Sequence, residues 1–162
     1  MSRYAEGTTV AIEQSQVDIR KLLKKNQAEQ IVIGESNEGG TVGFTLSGRM
    51  YRFAVDYPDP SEKRFTHHGR GYRLPTEQAK NRFEAEKRRK WRVLLIQLKI
   101  KFELVEGEAA TLEQEFLSYI MLPDGSTVGQ VTESAIEYAY QTGKMPELMP
   151  GLHALPGRSD DQ

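Results

Sequence analysis

A chain of 162 residues, 38% hydrophobic, 28% charged and with a formal net charge of −1, has the composition of one soluble domain large enough to bury a core. It contains no cysteine, which excludes disulfides, Cys-ligated zinc and thiol catalysis and suits a reducing cytoplasm. The opening MSRYAEGTTV lacks the apolar core of a signal peptide, and apolar runs are no longer than Val93 to Ile96, against the roughly 20 residues of a membrane span; no membrane partner is expected.

In chain order, Val10 and Ile12 form a short alternation, as one edge strand would. Ser15-Gln16-Val17-Asp18 matches a capping box, with Ile19, Leu22 and Leu23 following at helical spacing. Ile31-Val32-Ile33 is a short strand and ESNEGG (35–40) its turn. Val42, Phe44 and Leu46 then alternate with Thr41, Gly43 and Thr45, and Tyr51, Phe53, Val55 and Tyr57 with Arg52, Ala54 and Asp56, which predicts a three-stranded antiparallel meander. A type II′ turn centred on Gly48-Arg49 would place Leu46 opposite Tyr51, Phe44 opposite Phe53 and Val42 opposite Val55, all on one face. The other face, Thr41, Gly43, Thr45, Arg52, Ala54 and Asp56, is small and polar, open to water or to a ligand backbone.

Pro58 to Pro75, PDPSEKRFTHHGRGYRLP, has no period and reads as a long functional loop, a mobile flap with Phe65 and Tyr72 as stacking residues. Asn81 to Glu106 reads as a long helix, with Thr76 as its N-cap. A competing alternation runs from Ile96 to Leu104, and helix is preferred for continuity with EAEKRRKWR. Thr111-Leu112-Glu113-Gln114 is a second capping box opening a helix through Phe116, Leu117 and Ile120, and Pro123-Asp124-Gly125 is a turn. A last helix starts at Thr127 or Thr132 and stops at Gly143. The expectation is one α+β domain over 1–144: an N-terminal helix, the meander, the long helix packed on its apolar face, and two C-terminal helices. Residues 145–162 form a Pro-containing acidic tail, expected to be partly disordered.

The blocks RYAEGTTV, GFTLSGRMYRF, KRRKWRVLL, EFLSYIMLPDGSTVG and MPELMPGL together resemble a family of small bacteriophage and prophage proteins, across most of the chain. Genes of that family lie near phage DNA replication and recombination functions, so the resemblance implies a role in DNA metabolism inside the host cytoplasm. Its members keep the 96–104 region Ala-rich and helical, which supports a helix here, although this chain carries β-branched and aromatic residues instead. The resemblance carries no catalytic residue over.

Charge is strongly polarised along the chain. Residues 49–101 hold 15 Lys/Arg against 6 Asp/Glu, a net of +9, while residues 102–162 hold 2 against 11, a net of −9. Either the two blocks neutralise each other across the fold or between subunits, or the basic block meets a polyanion. Single-strand binding needs cations for phosphates and flat faces for bases. Candidate cations are Arg49, Arg52, Arg64, Arg70, Arg73, Lys87, Arg88, Arg89, Lys90 and Arg92, with Phe65 and Tyr72 as candidate platforms; Trp91 is expected in the core. His67-His68 has only His153 as a third histidine and no accompanying carboxylate motif, so neither a metal nor a cofactor is expected. Asp56, Asp59, Glu86 and Lys87 imitate a nuclease set without its spacing. The leading expectation is a non-enzymatic accessory protein that binds DNA, single strands by preference. A protein-interaction or inhibitor role, with a phage or host protein or a second copy as partner, is the alternative, and a small nuclease is the third.

Overall fold

The computed structural model describes residues 4–144 and Pro146; apart from Pro146, the expected disordered tail lies outside them. The architecture is α+β. In order, the elements are α1 (Ile12–Lys25), β1 (Glu29–Glu35), β2 (Gly39–Leu46), β3 (Arg49–Asp56), α2 (Lys63–Thr66), α3 (Thr76–Glu106), α4 (Leu112–Phe116) and α5 (Val128–Thr142), with a 3-10 turn at Leu117–Tyr119. The sheet is a meander in the order β1-β2-β3, antiparallel throughout.

Ile12, Ser15, Ile19 and Leu23 are the buried stripe of α1, one residue per turn. This corrects two expectations. Ile12 opens the helix instead of ending an edge strand, and Ser15 lies one turn inside it, fully buried, with its amide bonded to the Ala11 carbonyl. Burying Ile12 draws one more turn into the helix, and a cap at Ser15 would forgo that apolar contact.

The hairpin between β2 and β3 turns at Ser47-Gly48, both with positive φ (50° and 75°), as a type I′ turn demands. Leu46 therefore faces Arg49, Phe44 faces Tyr51, Val42 faces Phe53 and Gly40 faces Val55, two residues away from the expected register. A shift of two keeps every side chain on its face, so Val42, Phe44, Tyr51, Phe53 and Val55 are still the buried set. The observed register sets Gly40 beside Val55, and the indole of Trp91 occupies the space a side chain at position 40 would need. Gly40→Ala drives a methyl into that ring and is expected to cost about 1–3 kcal/mol as overpacking. Urea unfolding measures it; a loss under about 0.5 kcal/mol, the range of an ordinary surface change, would mean that the ring has room to move.

Helix α3 runs about 46 Å at 1.5 Å per residue. Its buried apolar positions, Trp91, Leu94, Leu95, Leu98 and Phe102, follow the helical period, while Ile100 is exposed, so the strand alternation of this segment is not used. Pro75 precedes the first turn, and Thr76 is its first residue. Trp91 is wholly buried, and its indole N–H donates to the Tyr57 hydroxyl at 2.7 Å, which donates in turn to Glu35 at 2.6 Å. Burial first, and then the bond to Glu35, push the Tyr57 phenol above its ordinary range, so it stays protonated and keeps donating.

Thr111 and Gln114 form the expected capping box at α4, and Thr127 and Gln130 form another at α5, where Gly143 at φ 68° ends the helix. The helix expected through Ile120 stops at Phe116. Tyr119 instead stacks on Phe53 (3.9 Å between ring centres), and Ile120 and Met121 join the free edge of β3, Met121 N–H donating to the Met50 carbonyl at 2.8 Å. That pairing gives extended backbone at the sheet edge a partner it would otherwise lack. Between the outer face of the sheet and α5 lies a groove of about 610 Å³, lined among others by Arg52, Ala54, Tyr119, Thr132 and Ile136.

Candidate nucleic-acid interface

The segment expected to be an aperiodic flap is folded. Phe65 (4% exposed) and Leu74 are buried and anchor its second half, and Phe65 meets Phe83 of α3 edge to face at 5.6 Å. Between them runs a tight hairpin. His67 bridges Arg73, Leu74 N–H donates to the Thr66 carbonyl, His68 N–H donates to Tyr72, and Gly71 N–H returns to His68. Gly71 sits at φ 85°, a conformation that suits only glycine without strain. Phe65 is thereby corrected from stacking platform to anchor, since a ring buried this deeply has no face to offer a base. Tyr72, at the hairpin, is 73% exposed and is the one exposed aromatic among residues 49–101.

The candidate cations divide into matched and unmatched groups. Arg49 reaches Glu113 at 2.7 Å, which raises the Arg49 pKa and holds the Glu113 carboxyl below its ordinary value. Arg52 donates to Gln130 at 3.0 Å, and Arg92 lies 3.4 Å from Asp18. Lys87 lies between Glu84 (3.4 Å) and Glu35 (3.7 Å), with the Tyr57 ring 4.9 Å away. Arg89 grips the buried Glu86 with two hydrogen bonds, 2.7 and 2.8 Å, which raises its pKa. Arg88 donates to the Thr8 carbonyl at 3.4 Å and pins the N-terminal segment to α3. The 87–92 run is therefore largely spent on the fold. Arg89→Ala would remove the bidentate partner of a buried carboxylate and so report on stability before binding.

Arg70 and Arg73, by contrast, are exposed and have no carboxylate within ion-pair distance among the described residues. They stand on the hairpin whose backbone lines a cleft of about 500 Å³ against α2 and α3, together with Lys63, Arg64, His67, His68 and Arg82. Arg64 is matched by Glu62 at 2.7 Å, with its guanidinium 4.7 Å from the centre of the Phe65 ring. Arg82 donates to the carbonyls of Arg64 (3.5 Å) and His67 (3.1 Å), which fixes the guanidinium in place and leaves its charge unmatched by any acid among the described residues. Lys63 is exposed and also without an acidic partner there.

Lys63 and Arg82 are the two cleft residues the sequence reading did not single out. Lys63 sits directly before Arg64 in SEKRF, a usable signal; that Arg82 reaches back to the hairpin depends on where α3 crosses α2. The spacing of Glu84 and Lys87, and of Glu86 and Arg89, is the i,i+3 pairing that already marks those cations as matched. The two charge blocks neutralise each other directly at Arg49–Glu113 and Lys101–Glu115, while residues 1–48 supply Asp18 and Glu35.

Among the described residues, no group of three His, Asp or Glu side chains is placed to hold a metal, and no helix is long and apolar enough to cross a membrane. Compared with protein-family models, with curated proteins and with solved structures, the chain matches none of them.

Proposed function

We propose that this is a phage- or prophage-type accessory protein that binds DNA in the host cytoplasm, prefers single strands, and acts through the cleft of α2, the 67–73 hairpin and the first turns of α3. One observation carries the reading. Lys63, Arg70, Arg73 and Arg82, none of them matched by a carboxylate among the described residues, stand on the cleft and the hairpin that carries the one exposed aromatic of the basic block, Tyr72. Phosphates need the first and an unstacked base needs the second, and a base paired inside a duplex has no face free for Tyr72. The sequence blocks resembling phage proteins agree with such a role. Tyr72→Ala is expected to weaken binding of a single-stranded oligonucleotide about tenfold or more, since stacking is worth roughly 1–3 kcal/mol per base. The melting temperature should hardly move, because the ring is exposed. Fluorescence anisotropy and a thermal melt on the same variant test it. A lower melting temperature with unchanged affinity would make Tyr72 a structural residue and leave the reading on charge alone.

A second reading, a protein-interaction or inhibitor role, is favoured by α5. That helix leaves Ile136, Tyr138 and Tyr140 exposed beside Glu133 and Glu137. On that reading Tyr72→Ala is silent in every assay, and substitutions at Ile136 and Tyr140 are the ones that abolish activity in the host.

A further inference from the structure

We infer that the cleft is a site for a phosphomonoester at the end of a single DNA strand, in preference to the diester backbone between nucleotides. The inference rests on the nucleic-acid reading above and adds to it what part of the strand is read.

The first argument is how the charge is bounded. The cavity of about 500 Å³ is walled by Lys63, Arg64, His67, His68 and Arg82, and of the cations beyond it along α3 Lys87 pairs with Glu84 and Glu35 and Arg89 with Glu86. On the α2 side Glu62 holds Arg64. A strand passing through must enter and leave, and at these ion pairs its next phosphates would find no net positive charge to hold them. A strand that ends in the cleft needs only one exit, and the exposed Arg70, Tyr72 and Arg73 lie on one.

The second argument is the ligand's own charge. A phosphomonoester carries about −1.5 to −2 near neutral pH and presents three terminal oxygens, where a diester carries one charge. A pocket of several donors discriminates between the two; an open groove of spaced cations does not.

The third is access to the backbone. A Cβ built on Gly69 or Gly71 meets nothing within 4 Å, so the turn that forms the cleft's rim is bare. The amides of Gly69 and Arg70, central in that turn, make no backbone hydrogen bond among the described residues and are open to phosphate oxygens. Arg82, held by two carbonyls, is oriented before any ligand arrives.

The test is a set of affinities of the full chain for one oligonucleotide sequence in four forms: 5′-phosphorylated, 3′-phosphorylated, hydroxyl-ended, and circularised, with thymidine monophosphate and inorganic phosphate as competitors. One of the phosphorylated forms is expected to bind about tenfold tighter than the hydroxyl-ended and circular forms, as the additional charge-assisted hydrogen bonds to a monoester require. Lys63→Ala, whose exposed side chain has no partner to lose among the described residues, should bring that ratio close to one, whereas a merely weakened binder would keep it. Equal affinity for all four forms overturns the end site and leaves the DNA reading standing. Binding of no form overturns both. Competition by thymidine monophosphate at the strand's own concentration overturns the strand end in favour of a free nucleotide.

Discussion

Replacing Phe53 with alanine is expected to lower the unfolding free energy by about 3–5 kcal/mol. The side chain is 1% exposed and central in an aromatic cluster. Phe44 lies parallel to it at 6.1 Å, Phe116 meets it edge-on at 6.0 Å, and Tyr119 stacks on it at 3.9 Å. The truncation therefore opens a cavity among groups that come from the sheet, α4 and the 3-10 turn, and these cannot all collapse into it together. It also removes the ring that seats Tyr119, whose hydroxyl accepts a 2.7 Å hydrogen bond from Gln97, so the link between the 117–121 segment and α3 loosens as well. For a domain with about 5–15 kcal/mol in total, the loss is large enough to lower the urea midpoint steeply at constant m. Val32→Ala, on the outer face of β1 and 67% exposed, is the control and should change stability by less than about 0.5 kcal/mol. A Phe53→Ala cost below about 1 kcal/mol would contradict the packing described here.

Removing the unmatched cations together is the second large effect expected. If Lys63, Arg70, Arg73 and Arg82 each neutralise one phosphate charge, the log–log salt slope for a single strand is about −2.8, and a fourfold rise in salt weakens binding about fiftyfold. The variant Lys63→Ala/Arg70→Ala/Arg73→Ala keeps one such contact, so its slope should fall to about −0.7 and the same salt step should cost only about threefold. Arg49→Ala, which removes the partner of Glu113 at another part of the surface, should leave the slope where it was. Anisotropy titrations at several salt concentrations decide the matter. A triple variant with the parent's slope would place the phosphate contacts elsewhere, and a slope that falls with Arg49→Ala would return the interface to the whole basic block.

Trp91 shows how far the amino-acid order reaches. Its placement inside the core followed from its size and from the apolar stripe it shares with Leu94, Leu95 and Leu98, and all four are buried. Its hydrogen bond to Tyr57, 34 residues earlier, had no local signal. Phe65 shows the opposite case. In sequence it is an aromatic between cations in a stretch rich in Pro and Gly, the composition of an exposed recognition loop. Only the approach of Phe83 and the hairpin closed by Leu74 turn it into an anchor.

What the chain determines by itself is periodicity and local capping. Alternation at Val42–Leu46 and Tyr51–Val55 sets which face of each strand is apolar, and an even shift in pairing leaves those faces unchanged, so the core residues were legible although the hairpin register was not. The capping box at Thr111 is closed within four residues and was equally legible, while at α5 the residue order left Thr127 and Thr132 as alternatives and the box closes at Thr127. Tertiary structure alone decided which cations remain available to a ligand. Ion pairs within α3 are visible as spacing, but Lys87–Glu35, Arg92–Asp18 and Arg49–Glu113 join residues more than 50 apart. A charge stays open to a partner only when no opposite charge is folded against it, and that is a property of distance in space, which residue order does not contain.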